Sequence, residues 1–303
     1  MTGVRSFLEV TDLTADELGA VLTLASSPLE VLGRPLAGKG AALIFEKPSN
    51  RTRHSTEMAV VQLGGHPVYT RGEEIGLDVR EPVEDVTRIL AGYHAVITAR
   101  VFDHTVLERM RTVSPIPVVN LLSDRSHPLQ AVADLLAMRA ELGDLAGRTV
   151  AWVGDTNNVA HSLAQACVMS GAHVRLACPE GYAPSPSQVQ RWAACGTGTV
   201  SVTDDPYAAV SGADAVHTDT WVSMGQETEK QQRLAAFADF CVTEALMAQA
   251  APGACFYHCL PAYRGLEVAA SVIDGPRSRV ITQGHRRLDA ARAVLAFLSG
   301  VRP

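Results

Sequence analysis

A run of hydroxyl and guanidinium side chains, Ser49-Asn50-Arg51-Thr52-Arg53, directly follows the apolar run AALIFE at residues 41–46. The pattern predicts a helix from about Thr52, and a helix start offers unpaired backbone N–H groups and the positive end of the helix dipole. Together with two guanidiniums, these donors would form a compact site for a phosphate group. Taken alone, the segment also fits a capped helix with solvated arginines.

A second polar cluster is His127-Pro128-Leu129-Gln130. Proline favours the first turn of a helix, which places His127 at or beside the cap, and Gln130 lies three residues further on the same face. Arg100 ends the predicted strand HAVITAR, and ligands of open α/β sheets gather at the carboxyl ends of strands. A single histidine is more often structural, but all three clusters are predicted to lie at such strand ends.

Two loops in the second half also follow predicted strands. The first is Asp219-Thr220-Trp221-Val222-Ser223-Met224-Gly225, and the second is His258-Cys259-Leu260-Pro261. An aspartate and a serine on one loop can bind an amino group and a carboxylate, and Gly225 permits unusual turns. Cysteines and a histidine at 255–259 lack a second ligand pair at zinc-finger spacing, so we expect no metal.

Short apolar runs alternate with amphipathic stretches along the whole chain, which predicts an α/β fold with parallel sheets. The predicted strands of the first half are 41–46, 67–70, 94–99 and 117–120, with helices near 52–63, 83–93 and 103–112 between them. The predicted strands of the second half are 148–155, 172–178, 200–203, 213–218, 255–258 and 278–282.

A long helical pattern from His127 to about Leu142 separates the two halves. We therefore predict two doubly wound parallel-sheet domains joined by interdomain helices. The first domain is expected at residues 1–130, with the C-terminal helix 285–303 packed back on it, and the second at 131–284. The last helical pattern itself runs from Arg287 to Leu298.

Several broad classes of protein are disfavoured. The 303 residues carry a formal charge of −6, which argues against a nucleic-acid binder. The sequence GDTNN at 154–158 lacks the glycine pattern of a dinucleotide site, which argues against a nicotinamide oxidoreductase. The first residues lack the apolar core of a signal peptide, and no apolar run approaches the roughly 18–20 residues that span a bilayer. We expect a cytoplasmic protein without membrane contact, whose six cysteines are free thiols and mostly buried.

Five motifs resemble, in order, those of the ornithine branch of the aspartate/ornithine carbamoyltransferase family. FEKPSNRTR is similar to the family's FEKxSTRTR, HPLQ to HPxQ, GDTNNVAHSL to GDxNNxxxSL, DTWVSMGQE to DxWxSMGxE and HCLPA to HCLP. RRLDAARA resembles the segment that supplies a last arginine. One such motif is weak evidence, whereas five in order along nearly the whole chain are specific. The SMG motif separates the ornithine branch from the aspartate, acetylornithine and succinylornithine branches.

The resemblance implies transfer of the carbamoyl group of carbamoyl phosphate to the side-chain amine of L-ornithine. The products would be citrulline and phosphate, within arginine biosynthesis. It also implies a homotrimer, in some relatives stacked into larger assemblies, and neither a metal nor an organic cofactor.

Residue roles are implied position by position. Carbamoyl phosphate would contact Ser49, Asn50, Arg51, Thr52, Arg100, His127, Gln130, the backbone carbonyl of Leu260 and Arg287. Ornithine would contact Asn158, Asp219, Ser223 and Met224, with Cys259 beside the reacting amine. The catalytic residues would then be Arg100, His127, Asp219 and Cys259.

Some positions depart from the family pattern. Asn50 stands in place of the usual threonine, and Gly76 stands where relatives often have a glutamine or histidine that reaches the neighbouring subunit's site. His285 and Arg286 replace an acid and an asparagine just before Arg287.

Two alternatives share the fold. A carbamoyltransferase for another amine, such as putrescine or a modified ornithine, would keep the donor site and change the SMG loop's ligand. A binding or regulatory protein that lost turnover is disfavoured because four residues central to the chemistry are retained together, namely Arg51, Arg100, His127 and Cys259.

Overall fold

The computed structural model describes residues 5–223 and 227–303, and the chain divides into two compact units. Unit 1 comprises Met1–Ala133 and Arg286–Pro303, and unit 2 comprises Asp134–His285. The boundary falls inside two helices, so each of these helices contributes residues to both units.

Unit 1 is built on a four-stranded parallel sheet with the strand order β2-β1-β3-β4. Its strands are β1 (Gly40–Phe45), β2 (His66–Arg71), β3 (His94–Arg100) and β4 (Val118–Leu122). The order reverses between β1 and β3, and Phe45 pairs with Arg100 at their carboxyl ends. In a doubly wound sheet this reversal is the favoured place for a ligand.

Three helices of unit 1, namely α1, α3 and α6 in the list below, begin at side-chain caps. Ser49 Oγ accepts the Thr52 N–H at 3.3 Å, and Asp103 accepts the Thr105 N–H at 2.8 Å. Each such cap satisfies a donor that the helix itself cannot pair and is worth about 1 kcal/mol. The helices are α1 (Ala15–Ser26), α2 (Leu29–Leu32), α3 (Asn50–Gln62), α4 (Gly72–Ile75), α5 (Val83–Ala91), α6 (His104–Val113) and the shared α7 (Pro128–Leu142).

Unit 2 is built on a five-stranded parallel sheet with the order β7-β6-β5-β8-β9. Its strands are β5 (Thr149–Val153), β6 (His173–Ala177), β7 (Thr199–Thr203), β8 (Ala215–Thr218) and β9 (Cys255–His258). Here the order reverses between β5 and β8, so the segments after these strands adjoin. Both central strands are buried, as is typical of parallel strands covered on two faces.

The helices of unit 2 pack their apolar residues against this sheet, where Phe237, Val242 and Phe256 belong to one buried cluster. They are α8 (Asn158–Met169), α9 (Pro186–Ala193), α10 (Pro206–Val210), α11 (Lys230–Ala236), α12 (Glu244–Met247), α13 (Ala270–Ile273) and the shared α14 (Val280–Leu298). The predicted α/β class with two doubly wound parallel sheets is confirmed.

One predicted strand, residues 278–282, is wrong. Ser278 makes a single bridge to Phe256, and α14 begins at Val280 instead of at Arg287. The β-branched residues of this stretch favour a strand locally. Tertiary hydrogen bonds favour a helix here instead. Gln283 on α14 accepts the His258 N–H at 2.8 Å and donates to Asp134 at 2.6 Å. The other predicted strands are confirmed within a few residues.

The structure shows the state of the cysteines and the character of the helices. All six cysteines are free thiols and four of them are buried, as predicted. Within residues 5–223 and 227–303, no helix has the length and apolar character required to cross a membrane.

Candidate active site

The start of α3 presents its donors at the carboxyl end of β1. Ser49 is the N-cap, Asn50 is the first helical residue and is exposed, and Thr52 is buried. Asn50 can offer its backbone N–H to a ligand. This donor is the same for asparagine as for the family's threonine. Arg53 points elsewhere, because its guanidinium binds Glu57 at 2.9 Å and lies 3.6 Å from the centre of the Tyr69 ring. Of the two guanidiniums expected here, only Arg51 remains a candidate.

Arg287 connects three segments within unit 1. Its Nη2 donates to Thr52 Oγ1 at 2.6 Å, and its Nη1 donates to the side-chain oxygen of Gln130 and lies 3.4 Å from His127 Nε2. All four side chains are buried. The three partners come from the first turn of α3, the residue before α7 and the first turn of α7.

His127 is neutral at physiological pH. Burial of the ring, followed by the positive charges of Arg287, Arg100 and Arg51, keeps the pKa of His127 well below its ordinary value of 6.5. Arg100 is the last residue of β3 and is itself buried. A neutral imidazole keeps one N–H donor, so His127 can bind a carbonyl oxygen without adding a fourth positive charge.

The chemistry that this arrangement suits is the binding of an anion next to a polarisable carbonyl. Three guanidiniums and the α3 start favour a phosphate group, since guanidinium and helix amides both recognise phosphate oxygens. Donors such as Arg100 and His127 stabilise negative charge that develops on an adjacent oxygen. The structure brings together Ser49, Arg51, Thr52, Arg100, His127, Gln130 and Arg287 in unit 1.

Asp219 is the centre of a second cluster, in unit 2, directly after β8. Its Oδ2 accepts the side-chain N–H of Asn157 at 2.8 Å, and its Oδ1 accepts the Cys259 thiol at 3.1 Å. Asn157 also caps α8, because its Oδ1 accepts the N–H groups of Val159 and Ala160. The two carboxylate oxygens therefore have fixed directions, set by a helix start on one side and the loop after β9 on the other.

An ion pair between Arg233 and Asp155 holds the loop after Asp219 in place. Arg233 donates to Asp155 at 2.7 Å and to the Trp221 carbonyl at 3.1 Å. Burial raises the pKa of Asp155, and the Arg233 guanidinium opposes that rise. Ser223 lies half-buried at the end of this described stretch, and Met224 lies outside the described residues.

The loop after β9 carries Cys259 and Leu260 in a constrained backbone. Leu260 has a φ of 60°, in the left-handed region that leucine rarely adopts. Its N–H donates to His258 Nδ1 at 2.9 Å, which fastens the loop to the end of the strand.

Asp219, His258 and Cys259 also place potential metal-ligand atoms within 4.8 Å of one another. The sequence predicts no such group, because these residues lack zinc-finger spacing. Both ring nitrogens of His258 already face partners, Leu260 N–H at Nδ1 and Glu267 at Nε2. A metal ion bound by these three residues would therefore have to displace one of those contacts.

Sequence reasoning missed Asn157. Its side chain donates to Asp219, whereas the ornithine contact predicted for the neighbouring Asn158, the first residue of α8, stays a prediction. Its position gave a signal, because an asparagine between a strand and a helix is a preferred N-cap.

Gly76 has a local structural explanation. It ends α4 with a φ of 64°, and a Cβ placed there would lie 2.9 Å from the Arg80 side chain. A larger residue at this position would require the turn 76–80 to change. Close to this turn, the Arg109 guanidinium forms ion pairs with Asp78 at 2.6 Å and with Glu84 at 2.7 Å.

Comparison with known proteins shows the family to which both parts of the chain belong. The family model described as "Aspartate/ornithine carbamoyltransferase, carbamoyl-P binding domain" matches residues 5–140, and that of the "Asp/Orn binding domain" matches residues 146–298. The chain belongs to the aspartate/ornithine carbamoyltransferase family. The matches together cover nearly the whole of both units.

Relatives within this family are similar over their full length. The ornithine carbamoyltransferase of Acidothermus cellulolyticus is 46% identical over 301 residues, covering 97% of this chain and 96% of the relative. That of Thermus thermophilus is 44% identical and covers 98% of each chain. The solved structure of ornithine carbamoyltransferase from Pyrococcus furiosus has a TM-score of 0.93 and 41% identity, and it covers 99% of each chain.

Proposed function

We propose that this carbamoyltransferase is an ornithine carbamoyltransferase, which transfers the carbamoyl group of carbamoyl phosphate to the side-chain amine of L-ornithine. The products are L-citrulline and phosphate, and the role is a step of arginine biosynthesis. Full-length identity of 41–46% to relatives bearing this name supports the proposal. Carbamoyl phosphate belongs to unit 1 and ornithine to unit 2, in keeping with the two family-model descriptions.

The donor half of the proposal is the binding of carbamoyl phosphate, the carbamoyl donor, in unit 1. The observation that supports it is that Arg287 contacts Thr52, Gln130 and His127 together. In the proposed complex, the phosphate is bound by Arg51, Arg287 and the first N–H groups of α3. Arg100, His127 and Thr52 donate to the carbonyl oxygen. Gln130 and the Leu260 backbone carbonyl bind the amide NH2 group. Residues that bind the leaving group and the reacting carbonyl separately are what acyl transfer from an acyl phosphate requires.

The acceptor half depends on Asp219. A carboxylate with fixed oxygen directions binds the α-amino group of ornithine, and Asn158, Ser223 and Met224 are proposed to bind the rest of the amino-acid end. Putrescine has no α-carboxylate and a modified ornithine lacks the free α-amino group, so either would lose part of these contacts. Cys259, whose thiol contacts Asp219, is proposed to lie beside the reacting amine.

The reaction then proceeds without a covalent enzyme intermediate. The ornithine side-chain amine must lose a proton, which its pKa of about 10 opposes. The neutral nitrogen attacks the carbonyl carbon, and negative charge on the oxygen is stabilised by Arg100 and His127. The new C–N bond remains, the C–O bond to phosphate breaks with its electron pair on phosphate, and the nitrogen's surplus proton passes to that phosphate. Orientation and electrostatics supply the rate enhancement.

We also propose a homotrimer, with larger stacks of trimers as a further assembly. Large exposed apolar side chains are more numerous in unit 1 than in unit 2, and a subunit interface on unit 1 would cover some of them. Those in unit 1 are Val31, Met58, Val61, Val68, Val79, Ile89, Tyr93 and Phe102. Sedimentation equilibrium should give three times the chain mass of 32.2 kDa or a multiple of it, and a monomer at working concentration would overturn the assignment.

A cytoplasmic location is part of the proposal. Six free thiols, none of them paired in the structure, are typical of a reducing compartment. Fractionation of the native cells with an antibody against the chain checks the compartment.

The experiment that tests the function is citrulline or carbamoyl-product formation by the purified protein with carbamoyl phosphate. L-ornithine, putrescine, N-acetylornithine and aspartate are offered in parallel. Strong preference for L-ornithine supports both halves of the proposal. Preference for another amine retains the donor half and overturns the acceptor half, and the absence of turnover with all four overturns both.

A further inference from the structure

Glu267 is a fully buried carboxylate that has no role in the mechanism above. One of its oxygens, Oε1, accepts the Tyr263 backbone N–H at 2.5 Å and lies 3.3 Å from His258 Nε2. His258 is the last residue of β9 and Tyr263 follows the loop, so this oxygen binds both ends of residues 259–262. The other oxygen, Oε2, is also buried and accepts no hydrogen bond from the described residues.

The imidazole between Glu267 and the loop has a defined tautomer. The Leu260 N–H can only donate, so His258 Nδ1, 2.9 Å away, must accept. The ring proton is then on Nε2, where it faces the carboxylate. A carboxylate partner at one ring nitrogen favours a proton there, as it does for histidine in catalytic triads and metal sites. Without Glu267, this preference for a proton on Nε2 would be lost. In the other tautomer the Nδ1–H group and the Leu260 N–H would face each other, and two donors cannot form a hydrogen bond.

The Leu260 backbone depends on this contact. Its φ of 60° is unfavourable for a residue with a Cβ and persists only where surrounding contacts impose it. The same backbone sets the direction of the Leu260 carbonyl on one side and of the Cys259 thiol toward Asp219 on the other. A change of His258 tautomer would therefore turn two groups that face the substrates.

We propose that Glu267 is a positioning residue for carbamoyl transfer: it fixes the Nε2–H tautomer of His258, and through it the conformation of Cys259 and Leu260. Glu267 itself does not touch the substrates. The inference rests on the proposed function, because that function places the Leu260 carbonyl and the Cys259 thiol at the reacting groups.

The test compares two substitutions of similar size. Glu267→Gln retains an oxygen that accepts from Tyr263 and His258, and it removes the negative charge. We expect kcat for citrulline formation within about threefold of the parent. Glu267→Leu removes the acceptor, and we expect kcat to fall at least about tenfold. Affinity for carbamoyl phosphate, measured by calorimetry, should stay within about threefold in both variants, because the unit 1 arginines dominate it.

A readout independent of turnover follows the tautomer directly. Imidazole 15N spectra of histidine-labelled protein should show His258 as the Nε2–H form in the parent and in Glu267→Gln. In Glu267→Leu the His258 signals should shift toward the Nδ1–H form. If the parent makes no citrulline, the proposed function fails, whereas these spectra still decide whether Glu267 sets the tautomer.

Several results would overturn the proposal. These are a folded Glu267→Leu protein with parental kcat, an unchanged His258 tautomer, equal losses in the Gln and Leu variants, or loss of carbamoyl phosphate affinity in step with kcat.

If Glu267→Leu does not fold, two substitutions of His258 supply the matched pair. His258→Asn can place an acceptor near the Nδ1 position and should retain more kcat than His258→Gln, which cannot. The reverse order would also overturn it.

Discussion

The two clusters differ in how their side chains are fixed. In unit 1, Thr52, Gln130 and Arg287 are buried and stand on helices, and His127 immediately precedes one. In unit 2, Asp219 and Cys259 stand on loops, and each is oriented by a partner: Asn157 for the carboxylate and Asp219 for the thiol. The first cluster concentrates positive charge around a neutral imidazole, whereas the second gives a single carboxylate two fixed directions.

This contrast has a consequence for binding. Three guanidiniums of like charge near one ring are mutually unfavourable, so an anion that binds among them relieves repulsion as well as forming hydrogen bonds. The donor cluster is therefore expected to control affinity for carbamoyl phosphate. The acceptor cluster contributes direction, so its variants should affect ornithine more than carbamoyl phosphate.

The largest expected effect comes from removing a guanidinium from the donor cluster. Arg51→Gln should lower kcat/KM by about 100- to 1,000-fold and weaken carbamoyl phosphate binding, because a charged donor to phosphate is lost. The control is Arg53→Gln, two residues away on α3, whose guanidinium binds Glu57 instead. Steady-state kinetics and calorimetry on both variants test the difference, and similar losses in both would contradict the assignment of Arg51.

A smaller, substrate-selective effect is expected at Asp219. Asp219→Asn removes the charge that is proposed to bind the α-amino group and should lower kcat/KM for ornithine by about 100-fold. Calorimetric affinity for carbamoyl phosphate should remain that of the parent. Asp239→Asn, an exposed change in the same unit, is the control. Equal losses for both substrates would remove the distinction between the two clusters.

Asn157 allows orientation to be separated from helix capping. Asn157→Ser keeps an oxygen that can cap α8 but removes the amide donor to Asp219. We expect kcat/KM for ornithine to fall about tenfold, with the melting temperature nearly unchanged. Asn157→Ala should lose about 1 kcal/mol of stability in addition. Full activity of the serine variant, measured beside the alanine variant by kinetics and calorimetry, would show that Asp219 needs no such partner.

The smallest expected effect concerns stability and pH. The pKa of His127 lies below 6.5 in the folded protein, so the unfolded chain takes up a proton first as pH falls. This histidine should therefore lower the free energy of unfolding as pH falls below 6.5. Urea titrations from pH 7 to pH 5 should show a smaller loss for His127→Gln than for the parent. His104 and His94, whose pKa values are also lowered by burial, are common to both proteins and cancel. Identical pH dependence would contradict the shifted pKa.

Much of this architecture follows from local sequence. Alternating apolar and amphipathic stretches predicted both parallel sheets, because strand and helix periodicities are set by residues a few positions apart. The same locality explains the error at 278–282, where three β-branched residues in a row favour a strand. The long-range hydrogen bonds of Gln283 stabilise a helix there instead. Locality also explains Arg53, whose direction depends on Glu57 and Tyr69 rather than on its place in the motif.

The sequence by itself determined which residue types follow each strand, and thereby the kind of chemistry and the family. Only the tertiary structure decided which atoms meet: Arg287 reaches Thr52 across 235 residues, and Cys259 reaches Asp219 across 40. Such contacts depend on strand order and on how helices pack, which no local preference specifies. For the same reason, no sequence motif predicts that Glu267 contacts His258 and that His258 in turn accepts the Leu260 N–H. These contacts are defined only by the positions of β9 and the loop that follows it.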